Sequence, residues 1–130
     1  MTTTQIDLSN VILKDAQFRD ELLTFGGAAT VAAGTILARD SVSLKMIPFV
    51  KGGSTNENGI PKAILTYDVT AAGAGDVAIR AGVSGSFRAG ELIIAADGDA
   101  SNVDNAVLDQ LRAYGLVSID VQELNIPDNA

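Results

Sequence analysis

Short runs of alternating apolar and polar residues, each closed by glycine or a polar turn, constrain this chain more than any other feature. Residues 35–39 (Thr35-Ile36-Leu37-Ala38-Arg39) follow Gly34 and stop at Asp40-Ser41. Residues 44–50 then resume a β-prone run, so the two read as a hairpin. Pro48 donates no backbone hydrogen bond and places the second strand at an edge. After Pro61, Ala63, Leu65, Tyr67 and Val69 fall on one face of a strand, opposite Lys62, Ile64, Thr66 and Asp68. Residues 71–76 read as a turn. Val77, Ile79, Ala81 and Val83 make another alternating strand, cut by Gly82 and Gly85, and residues 87–94 make one more. Residues 16–25 fit a helix or a strand by composition; Phe18, Thr24, Phe25 and the following Gly26-Gly27 favour the strand.

One segment has the other period. Val103, Val107, Leu111 and Tyr114 share a helical face over residues 102–114. Ser101 is the expected N-cap, Asp104 completes a capping-box pattern, and Gly115 ends the helix. Val117, Ile119 and Val121 alternate as a last strand. The expected fold is therefore mainly β with one α-helix: a small β-barrel or β-sandwich that limits free edges. Residues 1–14 read as a flexible N-terminal arm, 15–125 as the β-rich domain and 126–130 as a polar tail. One domain is what 130 residues allow, with enough burial to need no covalent staple.

Composition removes much catalytic vocabulary. There is no cysteine, hence no disulfide, thiolate zinc site or cysteine nucleophile. There is no histidine, the commonest general base near neutral pH, so a serine–histidine pair at Ser84 or Ser86 is impossible. Sixteen acids against nine bases give a net charge of −7, a sign that repels phosphate backbones and anionic lipid. No two basic residues adjoin, and the sequence presents no basic patch. No apolar run reaches the ~20 residues of a membrane span, and the N-terminus has no secretory pattern, so the expectation is a protein of the reducing cytosol without nucleic-acid or membrane partners.

Three local motifs invite chemistry and are weak. Asp97-Gly98-Asp99-Ala100-Ser101 starts like a calcium loop, but Asn102 stands where the turn glycine belongs and Leu108 where the bidentate glutamate belongs. Gly73-Ala74-Gly75 lacks the third glycine of a dinucleotide fingerprint, with Ala78 in its place, and a strand follows instead of a helix. A carboxylate pair for glycoside work would lack sugar-stacking aromatics, which are 5% of the chain with no tryptophan. The reading is a non-enzyme with no cofactor and no metal.

Several segments in order carry a resemblance. Gly34-Thr35-Ile36-Leu37-Ala38-Arg39-Asp40 leads into Leu44-Lys45-Met46-Ile47-Pro48-Phe49. Ala63-Ile64-Leu65-Thr66-Tyr67-Asp68-Val69, Gly75-Asp76-Val77 and Val83-Ser84-Gly85 follow, then Leu108-Asp109-Gln110-Leu111-Arg112-Ala113-Tyr114-Gly115-Leu116. Over roughly residues 16–124 this order resembles the tailed-phage head decoration proteins, the lambda-like group. The resemblance implies a virion protein that binds the outside of the expanded capsid as a homotrimer at three-fold and quasi-three-fold positions. It would cement neighbouring major capsid protein subunits against the pressure of packaged DNA. It also implies an N-terminal arm that orders on the shell, with Ile6, Leu8, Val11, Ile12 and Leu13 as its anchors here. An acidic domain poor in reactive groups, with a reaching arm, suits that role. The alternative is a virion-surface adhesion module for host or environmental glycans, with loop 51–60 as its tip; the poverty in aromatics weighs against it.

Overall fold

The computed structural model describes residues 12–119. Two long strands organise it. β1 (Ile12–Phe25) and β7 (Gly75–Arg88) run antiparallel along their whole length, from Phe25 opposite Gly75 to Ile12 opposite Phe87. Between them in sequence lie β2 (Ala29–Val31), β3 (Ile36–Arg39), β4 (Met46–Pro48), β5 (Pro61–Leu65) and β6 (Val69–Ala71). β3 pairs antiparallel with both β4 and β5, and β5 pairs with β7 through Ile64 and Leu65. The parallel contact of Leu23 with Met46 joins β4 to β1 and closes a five-stranded barrel. β2 and β6 form a separate antiparallel ribbon. The helix α1 (Asn105–Ala113) leads into β8 (Leu116–Ile119), which adds in parallel to the far end of β7, outside the ring.

Closure explains two departures from the sequence reading. β4 is no open edge: it is bonded to β3 on one side and reaches β1 through Met46 on the other, with Pro48 beyond that contact. β5 is apolar on both faces. Ala63 and Leu65 enter the barrel interior with Leu23, Leu37, Met46, Ile79 and Ala81. Ile64, expected on the polar face, turns outward into a second core with Ile36, Phe87, Val107, Leu111 and Leu116. The second core exists because α1 lies over that side and covers it. Each large side chain sealed there contributes roughly 1.5–3 kcal/mol.

The glycines expected to cut residues 77–83 leave β7 continuous. Gly82 admits a close approach instead: a Cβ there would stand 3.1 Å from the Phe87 ring and 3.2 Å from the Ile64 carbonyl oxygen. Residues 87–94 are not a strand. β7 stops at Arg88, a 3₁₀ turn spans Ala89–Glu91, and residues 92–94 return under the second core. α1 starts later than its period suggests. Its N-cap is Asp104, whose Oδ1 accepts from the Val107 amide at 3.2 Å, while Ser101 lies in the preceding turn. A carboxylate caps well and also suits the helix dipole; Lys51 fixes its other oxygen at 2.6 Å. The expected arm of residues 1–14 overlaps β1, since Ile12 pairs with Phe87 and Lys14 with Ser86.

Gly34 joins the two cores. Its amide donates to the Leu65 carbonyl at 2.6 Å and its carbonyl accepts from Ile93 at 2.8 Å, tying β5 to the returning segment. Its φ is +96°, and a Cβ would fall on the Glu91 carbonyl oxygen. Gly34→Ala therefore combines a strained conformation with a backbone clash. It should cost about 3 kcal/mol or more of unfolding free energy in urea titration; a loss below about 1 kcal/mol would show that the junction relaxes freely.

Candidate interaction surface at the barrel mouth

Alternation along β1 puts Leu23, Glu21 and Arg19 on the inward side of the strand, in order toward its N-terminal end. Leu23 is sealed in the barrel, Glu21 stands above it, and Arg19 is mostly in water. β3 does the same with Leu37 and Arg39. The two strands thus bring a carboxylate and a guanidinium to the top of the apolar interior. Arg39 grips Glu21 with both nitrogens, Nη1 to Oε1 at 3.0 Å and Nη2 to Oε2 at 2.7 Å. The Glu21 side chain is only 9% exposed; its partner Arg39 lines a depression of about 470 Å³, while Glu21 itself borders a neighbouring notch. Arg19, Ser41, Leu44, Glu57, Lys62 and Val83 line the depression together with Arg39.

The Arg39 hydrogen bonds hold the Glu21 carboxyl below its ordinary value, outweighing partial burial, with the charges of Arg39 and Arg19 adding. Arg39 is raised by the same bonds. Arg19 reaches Glu21 at 3.6 Å from its Nε, and Lys62 lies over the Tyr114 ring at 4.2 Å. Three cations therefore line the mouth with one carboxylate, Glu57, and Glu21 sits behind Arg39, in a chain whose total charge is −7.

One rim of the mouth is the β3–β4 turn, which is tightly braced. Asp40 Oδ1 accepts from the Val42 and Ser43 amides at 2.8 and 3.1 Å, bonds that lower the Asp40 pKa. The Leu44 amide donates to the Asp40 carbonyl, and Arg39 Nη1 donates to the Leu44 carbonyl, both at 2.8 Å. Leu44 is held at φ +64°, which side-chain-bearing residues avoid. The turn presents Val42 at 77% exposure and Leu44 at 63%. Leu44 also borders the neighbouring notch with Asp20, Glu21, Leu22, Lys45 and Ala78.

The other sequence candidates are placed as follows. Ile6, Leu8 and Val11 lie outside the described residues, while Ile12 and Leu13 open β1. Asp97 and Asp99 sit in a turn, bonded to the Asn102 side chain and the Ser101 amide at 2.9 Å each. Among the described residues, no cluster of acidic side chains is arranged to hold a metal ion. Gly73 belongs to the turn between β6 and β7. Ser84 and Ser86 lie within β7. Loop 51–60 is tethered to α1 by Lys51–Asp104 and by Gln110 Nε2 on the Gly59 carbonyl at 3.3 Å. The mouth itself was missed, because its cations at positions 19, 39 and 62 are far apart in sequence. The one available signal was the strand alternation that aligns Arg19 and Glu21 with Leu23.

A family model for the bacteriophage lambda head decoration protein D matches residues 2–116. Comparison with curated proteins gave no match. The chain belongs to the head decoration protein family, a structural family of the phage virion that binds the capsid.

The ion pair sets a pH dependence. A carboxyl whose folded pKa lies below its ordinary 4.5 adds stability above that value and loses it as pH falls through the lowered value. Glu21→Gln should therefore unfold about 2 kcal/mol more easily at neutral pH. Its deficit against the parent should shrink as pH drops below about 4.5. Urea titrations of both chains between pH 7 and pH 3 check this; a deficit that stays constant with pH would contradict it.

Proposed function

We propose that this protein is a capsid cement: it binds the outer surface of the expanded head and holds neighbouring major capsid protein subunits together against the pressure of packaged DNA. The observation that carries the reading is the family match across residues 2–116. The fold is suited to it. A closed barrel with a helix over one side is a stiff body, and β1 begins well outside the ring, on the same side as the end of β8. The eleven residues before Ile12 span up to about 36 Å when extended. In this reading they reach a capsid subunit and add backbone hydrogen bonds to its sheet. Ile6, Leu8, Val11, Ile12 and Leu13 are the anchors. The copies act as a homotrimer at three-fold and quasi-three-fold positions, where linked weak contacts hold tightly.

The test is co-sedimentation of the purified protein with expanded, decoration-free shells of its own phage, followed by heating. Saturable binding, a copy number matching three per three-fold site and a raised rupture temperature are expected. A chain lacking residues 2–11, which leaves β1 complete, should bind at least about tenfold more weakly. A folded full-length protein that leaves the shells bare would overturn the reading. Equal binding by the truncated chain would remove the arm from it.

A further inference from the structure

Resting on the cement reading, we infer that the barrel mouth is a second docking point, independent of the arm, and that it takes an acidic side chain on an apolar-flanked loop of a capsid subunit. Charge comes first. The mouth is lined by Arg19, Arg39 and Lys62 against Glu57 alone; counting Glu21, which pairs with Arg39 behind that lining, the excess is one positive charge in a chain of net charge −7. Arg39 is committed to Glu21 by two short bonds. The Arg19 side chain is 69% exposed and makes only a long contact to Glu21. Lys62 rests on a ring, and no carboxylate among the described residues pairs with it. Two cations at the top of a recess are thus available to one incoming carboxylate.

The rim specifies the rest of the occupant. Val42 and Leu44 stand in water on a turn whose side-chain and backbone bonds hold it in one shape. Leu44 keeps a left-handed conformation that glycine would adopt without strain. Strain maintained on an exposed apolar side chain points to a surface built for contact. A free inorganic anion has no use for that rim. A polyanion such as nucleic acid meets Glu57 in the recess and a negative surface around it. A single carboxylate with apolar neighbours on a polypeptide fits both halves.

Position favours the capsid as the source. Arg19 lies seven residues from Ile12 along β1, about 20 Å. The mouth opens toward the end of the β1–β7 ribbon from which the arm reaches the shell in the cement reading. A subunit holding the arm is therefore close enough to enter the mouth.

The experiment measures shell binding and self-association of three full-length chains, the parent, the double variant Arg19→Gln with Lys62→Gln, and Leu44→Gly, and of a fourth chain lacking residues 120–130. The double variant should bind about tenfold more weakly and with a shallower salt dependence. Leu44→Gly should also bind about tenfold more weakly while unfolding at the same or a higher temperature, which separates lost contact from lost folding. Shell affinities equal to the parent's would overturn the inference and leave the cement reading standing. A parent that does not bind shells would overturn both. If both substitutions changed self-association but not shell affinity, the mouth would be a surface between copies. If removing residues 120–130 reproduced the loss, the occupant would be the chain's own tail. Either result would also overturn the inference.

Discussion

The contact of Leu23 with Met46 is small, a single parallel pairing, yet the architecture depends on it. Without it the sheet is open, with β4 as an unprotected edge and the interior side chains of β1 facing water. With it, Leu23, Leu37, Met46, Ala63, Ile79 and Ala81 are enclosed by five strands. Closure removes the edges that would otherwise recruit other chains. It also divides the long β1–β7 pair into two working halves. The half around Leu23 and Val77 is barrel wall, and the half toward Ile12 and Phe87 projects beyond the ring and carries β8 on its other side.

The mouth is where that division shows in the electrostatics. Toward Leu23 the inward stripe must be apolar because it is sealed. Toward Arg19 it must be polar because the ring no longer encloses it. Glu21 sits at the crossover, too deep for full hydration and too close to apolar neighbours to stand without a partner. Arg39 resolves this by bonding both oxygens and then reaching the Leu44 carbonyl with the same Nη1. The pair that lids the core thereby also fixes the turn that displays Leu44. One guanidinium couples the seal of the barrel to the shape of its rim.

Legibility followed the range of the interactions. The mainly β character, the strand at residues 16–25, the single helix and the stop at Gly115 rest on local alternation, period and turn chemistry, and all could be read directly. The helix start could not, because Ser101 and Asp104 are both good caps; Asp104 takes the role and also pairs with Lys51, fifty-three positions away. The inward or outward sense of Ile64 depends on a helix packing over β5 from forty residues downstream. The continuity of β7 through Gly82 depends on Phe87 filling the space that a side chain would occupy. The cation cluster is the extreme case, since Arg19, Arg39 and Lys62 come from three different parts of the chain. The family resemblance reached the head decoration family while these details stayed hidden, because ordered motifs report ancestry and a surface recess reports geometry.

An acidic exterior and a cationic recess are complementary parts of one arrangement. In a cell crowded with nucleic acid, a net charge of −7 keeps exposed surface from associating with phosphate backbones. Exposed cations on a flat face would undo that. On the inference drawn above, cations set in a recess with Glu57, beside an apolar rim, meet one narrow carboxylate more readily than a broad polyanion. Such a contact is weak alone. In the proposed cement role, repeated over many copies on a shell and combined with the proposed arm ahead of β1, it needs only modest affinity at each point to make a strong lattice. Rigidity then decides how well the contacts add: two attachment points on one stiff body resist separation of the subunits they touch, whereas two points joined by a flexible linker let those subunits drift apart.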